Sequence, residues 1–404
     1  MKNNLQIKNK TMEYLENSKE FLKDMISFPS TSTNEEGVVQ RIKTEMENAG
    51  FDEIKIDGFG NILGRVGNGP RVIAMDAHID VVDKGNEALW KTPPFKGIEK
   101  DGIIYGRGAS DQKGGMAAMV YAAKIMKEME MLKDFTVWIT GSVQEEDCDG
   151  LCWQYIIKEK VIDPLPEVVV ITEPTNLNLY RGHRGRMEME VETDGISCHG
   201  SEPNRGENAV TKMADIIKEI DQLNHRLEPT EFLGKGTVAV TKVSSVSPSL
   251  CAVPDKATIH LDRRLTEGET EAIALDQIRS LPSFKKHKAR IRVLEYDTPS
   301  YKGTIYPTRK YYPTWVIPED HQVVKAGIKA AQNALGEKPV VDKWVFSTNG
   351  VATCGMFDIP TIGFGPANEI HAHSPEDQLP IVHLQKAMAF YVYFLESYRE
   401  ITKK

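Results

Sequence analysis

The stretch RVIAMDAHID, residues 71–80, decides the fold of this chain. Residues 72–75 are all apolar, a pattern typical of a strand that is buried on both faces at the centre of a sheet. His78 and Asp80 follow directly. Because functional groups collect at the carboxyl ends of strands in open α/β sheets, this stretch predicts a buried central strand with a site at its end.

Acidic residues follow two other predicted strands in the same way. Glu145 and Glu146 come after the apolar strand at 136–142, and Glu173 comes after the strand at 168–172. Adjacent acids often form only a solvated turn, but at a strand end one can bind a metal while its neighbour takes a proton from water. The alternation of these strands with predicted helices indicates an α/β fold.

Asp111 lies in the glycine-rich turn GRGASDQKGG, residues 106–115, which enters a predicted helix. Such a turn can also bind phosphate. A phosphate-binding loop has Ser or Thr after its lysine, however, and Lys113 is followed by Gly114. We therefore interpret Asp111 as a metal ligand on a backbone shaped by glycine.

The candidate ligands become specific only as a set. Each residue alone also fits a structural role, and the loop that carries His373 offers a second histidine, His371. Together, nitrogen and oxygen donors without thiolates suit two zinc ions bridged by a carboxylate in a catalytic centre. The predicted ligands are His78, Asp111, Glu146, Glu173 and His373.

The middle of the chain has a different pattern of apolar and polar residues. Residues 186–193 alternate apolar and acidic side chains, as a strand with one face in water does. The predicted order β-α-β-β-α-β matches a ferredoxin-like sandwich. We therefore predict a catalytic domain in two parts, 1–183 and 299–404, with an α+β domain inserted at 184–298.

The composition of the chain argues against some classes of binding partner. The chain has 404 residues, a net charge of −8 and 40% hydrophobic residues, which is ordinary for a globular protein. The acidic balance argues against nucleic acid, and the sequence offers neither an apolar run of membrane-span length nor a signal core. Five scattered cysteines do not suggest a disulfide framework. We expect a cytoplasmic protein.

These motifs, in this order, resemble the metallohydrolase family of acetylornithine deacetylase, succinyl-diaminopimelate desuccinylase, aminoacylase and carboxypeptidase G. The resemblance covers nearly the whole chain, and residues 262–266 and 343–350 resemble the YgeY-type branch most closely. It implies a two-domain zinc-hydrolase fold: a mixed central sheet flanked by helices, with the inserted ferredoxin-like domain as a lid.

The resemblance also implies roles at the metal centre. His78 and Glu173 would bind one metal, Glu146 and His373 the other, with Asp111 as the bridge. Glu145 would be the general base. Asp80 would orient His78, and the Asp111–Gln112 peptide bond would be cis.

Further roles implied by the resemblance fall outside the ligand set. His199, in Ser-Cys-His-Gly, would stabilise the oxyanion, often across a dimer interface. Arg264 would bind a substrate carboxylate, and Asn349 would line the pocket. Cys251 stands where relatives often have an asparagine, which leaves substrate contacts there open.

The expected activity is metal-dependent removal of an acyl or carbamoyl group from an N-substituted amino acid. A dipeptidase or carboxypeptidase with the same dinuclear site is the alternative, and a non-catalytic binding protein on this scaffold is an alternative of another class. The expected cofactors are two divalent ions, zinc by preference, although cobalt or manganese also suits these ligands. The expected partners are a small amide or peptide with a carboxylate and a second copy of the chain, bound through the lid.

Overall fold

The structure, a computed structural model, describes residues 2–403. Up to residue 183 its helices and strands are α1 (Lys2–Glu13), α2 (Leu15–Ile26), α3 (Glu36–Ala49), β1 (Glu53–Ile56), β2 (Ile62–Val66), β3 (Arg71–His78), β4 (Ile98–Lys100), β5 (Ile103–Tyr105), α4 (Gly114–Glu128), β6 (Phe135–Ser142), α5 (Leu151–Lys158), β7 (Val168–Ile171) and β8 (Leu179–His183).

Residues 184–298 contain β9 (Gly185–Asp194), α6 (Ala209–Arg226), β10 (Pro229–Thr230), β11 (Gly234–Lys235), β12 (Thr237–Val246), β13 (Lys256–Leu265), α7 (Glu271–Arg279), α8 (Pro282–Lys286), β14 (Arg290–Val293) and β15 (Glu295–Tyr296). The rest contains β16 (Thr308–Arg309), β17 (Tyr311–Tyr312), β18 (Trp315–Val316), α9 (Gln322–Leu335), β19 (Val341–Trp344), α10 (Gly350–Thr353), β20 (Thr361–Gly363), β21 (Gln378–Pro380) and α11 (Ile381–Ile401).

The larger sheet has the strand order β1-β2-β6-β3-β7-β20-β8-β18, and β19 also pairs with β8. β3 runs parallel to both neighbours, β6 and β7, whereas β2 pairs antiparallel with β6. The sheet is therefore mixed, as expected. Every residue of β3 after Arg71 is buried, and so are β6 and β7 along their whole length. The predicted central strand is confirmed.

Helices cover this sheet. α4 packs against β3 and β6, α9 packs against β8 and β20, and α11 packs against both helices. Phe390 of α11 stacks on Phe364, with ring centroids 3.7 Å apart, just after β20. Across residues 2–403, no helix combines the length and the apolar character that a membrane crossing requires.

The smaller sheet has the order β12-β13-β9-β14, and it has a hydrophobic core of its own. α6 packs against β9, β12 and β13. This strand order is that of the ferredoxin-like sandwich expected from the sequence. One difference concerns its end: β17 pairs antiparallel with β9, so the chain still contributes to the smaller sheet after residue 298.

Gly363 provides a test of packing beneath the site. A Cβ atom there would lie 1.9 Å from Cη2 of Trp344, whose indole is fully buried. Gly363→Ala should therefore lower the free energy of unfolding by about 1–3 kcal/mol, as overpacked cores do. Urea denaturation measures this change. In a Trp344→Phe background the cost should shrink, because the clashing atoms are gone; an equal cost in both backgrounds would contradict the explanation.

Candidate metal centre

The candidate ligands meet at the carboxyl ends of the parallel strands. β3 ends at His78, Glu145 and Glu146 follow β6, and Glu173 follows β7 after one intervening residue. Asp111 lies in the irregular turn before α4, and its peptide bond to Gln112 is cis, as the resemblance implied. The sheet topology thus brings together side chains that are far apart in sequence.

Asp111 lies between two histidines. Its Oδ1 is 2.9 Å from Nε2 of His78, which is also 3.5 Å from Oε1 of Glu173. Its Oδ2 is 3.3 Å from Nε2 of His373, which is 2.9 Å from Oε2 of Glu146. Each oxygen of Asp111 therefore faces a different histidine, and each histidine contacts a different glutamate, which is an arrangement that suits a carboxylate between two metal ions.

The donor atoms fit divalent ions. One ligand atom from each of His78, Asp111 and Glu146 lies within 4.8 Å of the others, and the same holds for His78, Glu145 and Glu173. Imidazole nitrogens and carboxylate oxygens are ligands that zinc and related ions accept. Oε1 of Glu145 is buried without a hydrogen-bond partner among the described residues, as expected of an atom reserved for another group.

Burial and mutual charge dominate the electrostatics. Burial, together with the charge of Asp111, raises the pKa of Glu173 well above its usual range. Burial also raises the pKa of Glu145 well above its usual range. Hydrogen bonds to Asp111 and Glu146 raise the pKa of His373 to about 10. Protons on these side chains thus compensate charge that divalent cations would otherwise compensate, so metal binding should release protons.

Asp80 contacts both His78 and the turn after β6. Nδ1 of His78 lies 2.9 Å from the main-chain oxygen of Asp80 and 3.6 Å from its Oδ1, so the main-chain oxygen is the nearer partner. The carboxylate accepts hydrogen bonds from the backbone N–H groups of Glu145 and Glu146, both at 3.1 Å, and from Ser32. Asp80 therefore fixes the turn after β6 as well as the histidine.

Asp377 was not recognised from the sequence. Its buried carboxylate accepts hydrogen bonds from the backbone N–H of Gly108, at 2.7 Å, and from the N–H and hydroxyl of Ser110. It also pairs with Arg107 at 3.2 Å. These bonds fix the turn that carries Asp111. The only sequence signal was its position four residues after His373.

The ligands open onto a cavity of about 320 Å³. Arg264 lies on its wall, as the resemblance implied, and pairs with Asp262 through Nε at 2.7 Å and Nη2 at 3.0 Å. The prediction missed other lining residues, namely Asp149, Arg186, Phe346, Ser347, Glu369 and Ala372. Arg186 was missed because the polar face of its strand, β9, was interpreted as facing water. Near the start of β9 this face lines the cavity instead.

Asn349 and His199 are not among the residues that line the cavity. Asn349 is buried. Its side-chain N–H groups donate hydrogen bonds to Asp76 and Ser142, and its side-chain oxygen accepts one from the backbone N–H of Gly150. The predicted place of Asn349 on the pocket wall therefore stays a prediction. His199 lines a separate shallow surface depression, so within one chain it is not part of the cavity.

Of the two histidines in the loop before β21, His373 is the one that lies beside the other candidate ligands. His373 contacts Asp111 and Glu146, whereas the ring of His371 lies 3.0 Å from Nε2 of Gln378. Cys148 and Cys152 are buried free thiols near the start of α5, which begins at Leu151.

Comparison with known proteins identifies the family. The profile of peptidase family M20/M25/M40 matches residues 74–397. The chain belongs to this family. This M20-family metallohydrolase is 52% identical to protein YgeY of Escherichia coli (strain K12) over 382 residues, 95% of this chain and 94% of the relative. It is 27% identical to the "Probable succinyl-diaminopimelate desuccinylase" of Staphylococcus epidermidis, covering 95% and 96% of the two chains.

Solved structures share the M20 fold. The M20 metallo-carboxypeptidase Sso-CP2 of Sulfolobus solfataricus superposes with a TM-score of 0.72 at 19% identity, covering 96% of this chain and 99% of that one. The dipeptidase Dug1p of Saccharomyces cerevisiae superposes with a TM-score of 0.73 at 16% identity, covering 99% of both. At these identities the likeness establishes the mixed α/β architecture.

Metal removal should destabilise the protein. Chelation would leave the buried carboxylates with only protons as compensating charge, so the melting temperature should fall and recover when zinc is restored. Stabilisation by a ligand at 100 times its Kd is about 2.7 kcal/mol. Thermal unfolding and elemental analysis measure both effects. His78→Ala combined with His373→Ala should abolish the recovery, whereas Asp147→Asn, a change at an exposed acid beside the site, should preserve it. An unchanged melting temperature after chelation would contradict the assignment.

Proposed function

We propose that the protein is a dinuclear metal-dependent amidohydrolase that removes an acyl or carbamoyl group from an N-substituted amino acid. The observation that carries this proposal is the division of Asp111 between two histidine–glutamate groups, with Glu145 beside them. We assign one ion to His78 and Glu173, the other to Glu146 and His373, and Asp111 to both. When bound, such ions acidify water and polarise the amide carbonyl.

Glu145 is the general base in this proposal. Its Oε1 is buried and has no hydrogen-bond partner within residues 2–403, and its Oε2 lies 4.0 Å from Nε2 of His78, so the carboxylate borders the ligand set. Asp80 holds its backbone N–H, which fixes the residue in the turn. Glu145 takes a proton from the attacking water and delivers it to the leaving nitrogen.

Arg264 binds the substrate carboxylate in this proposal. It lies on the wall of the same cavity as the ligands. Its ion pair with Asp262 holds the side chain in one orientation, and a guanidinium retains further N–H donors for a planar carboxylate. The substrate is therefore a small amide whose amino acid keeps its carboxylate.

His199 completes the site from a second copy of the chain in this proposal. Its position outside the cavity supports this, and so do exposed apolar residues of the smaller domain: Leu250, in the same depression as His199, is 105% exposed, and Val243 and Val246 of β12 are 57% and 58% exposed. Such residues are suited to burial between subunits. We accordingly propose a cytoplasmic homodimer in which the smaller domain closes over its partner's cavity and His199 stabilises the oxyanion there.

Replacement of Glu145 tests the base and the activity together. On the zinc-loaded protein, a panel of N-acyl amino acids, N-carbamoyl amino acids and dipeptides should reveal hydrolysis of the substituted amino acids. Glu145→Gln should lower kcat by about 10²–10⁴-fold while metal content stays unchanged, because the residue moves protons rather than binding metal. Asp147→Asn is the matched control and should retain activity.

Two results would contradict this assignment. Loss of one metal equivalent in Glu145→Gln would make Glu145 a ligand. Hydrolysis confined to the dipeptides would favour the alternative, a dipeptidase with the same dinuclear site.

Mixed subunits test the role of His199. His199→Ala and Glu145→Gln should each be inactive alone. A mixed dimer contains one complete site, with Glu145 from one chain and His199 from the other, so random exchange of equal amounts should restore about a quarter of wild-type activity. Activity is measured after co-refolding or subunit exchange. Persistent inactivity of verified mixed dimers would show that His199 does not act across the interface.

A further inference from the structure

We propose that Arg186 is a second anion-binding residue of the cavity, and that the substrate therefore carries two carboxylates, one for Arg264 and one for Arg186. This inference rests on the proposed function, because it assumes that the amide is hydrolysed at the metal end of the same cavity. It narrows the substrates from N-substituted amino acids in general to those with a second acidic group.

The two arginines occupy one face of the smaller sheet. Arg186 of β9 and Arg264 of β13 are directly opposite each other in the antiparallel register, and both line the cavity. The Cβ atoms of such a pair lie about 5 Å apart, and like charges in this arrangement repel. An anion bound beside both guanidinium groups relieves that repulsion.

The two guanidinium groups differ in the donors they have available. In Arg264, Nε and Nη2 already bind the two carboxylate oxygens of Asp262. In Arg186, Nε is buried and has no hydrogen-bond partner within the described part of the chain. Arg186 has no such bidentate pair: Oδ2 of Asp149 lies 3.4 Å from its Nε, and Oε1 of Glu188 lies 3.6 Å from its Nη2. Its guanidinium, on the cavity wall, therefore keeps N–H donors that can bind a planar carboxylate.

The acids nearest to Arg186 have other partners. Asp149 lies 3.4 Å away and accepts a hydrogen bond from Ser347. Glu188 lies 3.6 Å away and is closer to Lys310, at 3.0 Å, and to His260, at 3.2 Å. These ion pairs keep the arginine charged without satisfying all its donors.

The side chain of Arg186 is also held in place. Its guanidinium lies over the ring of Tyr312, 4.7 Å from the centroid, and only 16% of the side chain is exposed. A side chain that is already ordered loses little entropy when it binds. The cavity therefore has acids and histidines at the metal end and two ordered arginines on the wall formed by the smaller sheet.

Two kinds of substrate have the required chemistry. The second carboxylate can lie on the amino acid, as in N-acyl aspartate or glutamate, or on the acyl group, as in an amino acid acylated by a dicarboxylic acid. The shared feature is a second carboxylate near the scissile amide. Matched substrate pairs distinguish the two sources.

The experiment compares zinc-loaded wild type and Arg186→Gln on N-acetyl-glutamate against N-acetyl-glutamine, and on N-succinyl-alanine against its succinamyl analogue. Wild type should prefer the dicarboxylate of at least one pair by about 10–100-fold in kcat/KM, a range expected for one charge-assisted bidentate contact. Arg186→Gln should lose this preference through KM, with kcat changed less than about threefold. Calorimetric Kd values on Glu145→Gln, with and without Arg186→Gln, should change by the same factor.

Controls separate an anchor from a structural ion pair. Arg292→Gln removes an exposed arginine from the same sheet and should keep the preference. Glu188→Gln breaks an ion pair of Arg186 outside the cavity lining but leaves the guanidinium, so it should also keep the preference. Loss of the preference in both Glu188→Gln and Arg186→Gln would make the role structural and overturn the proposal. Equal hydrolysis within each pair by wild type would refute the second anchor alone. Absence of hydrolysis on all four substrates and on the wider panel would instead refute the proposed function.

Discussion

The structure depends on compensating negative charge that is buried at the ends of β3, β6 and β7. An ionised carboxylate taken out of water costs several kcal/mol unless cations or hydrogen-bond donors offset it. Asp111 obtains this compensation from two histidines, and Asp80 obtains it from backbone N–H groups and Ser32. Glu145 and Glu173 are compensated less, which is why burial raises the pKa of each so far. Binding of divalent cations is the consequence of this imbalance.

The same constraint explains how the surroundings are built. A charged cluster can be held this close only if the backbone beneath it is fixed, and two buried aspartates do this. Asp80 binds the turn after β6, and Asp377 binds the turn that carries Asp111. Both use carboxylates to accept backbone N–H groups, so each acid is satisfied while it orders a loop. Some acids of the site thus fix the backbone, and the others remain available to bind metal.

Three of the predicted ligands, His78, Glu146 and Glu173, have a local signal, because each comes at or just after the end of an apolar strand. Asp111 and His373 lie in loops and stood out only as members of the set. A contact between residues that are distant in sequence has no such local signal. The amide of Asn349 binds Asp76, 273 positions away, and that pairing has no local signature. Arg186 was overlooked because alternation along one strand gives the face of a side chain and not what lies opposite that face. The register with Arg264 supplies that information.

The pairing of β17 with β9 bears on how separable the smaller sheet is. Tyr311 and Tyr312 join this sheet after the chain has already left residues 184–298, and Tyr312 lies directly opposite Arg186 in the register. A segment cut at residue 298 would leave that strand behind and remove the ring on which the arginine rests. The smaller sheet is therefore not a self-contained cassette. Exchange between relatives, whether by recombination or by engineering, would have to transfer residues 311–312 as well to keep the cavity wall intact.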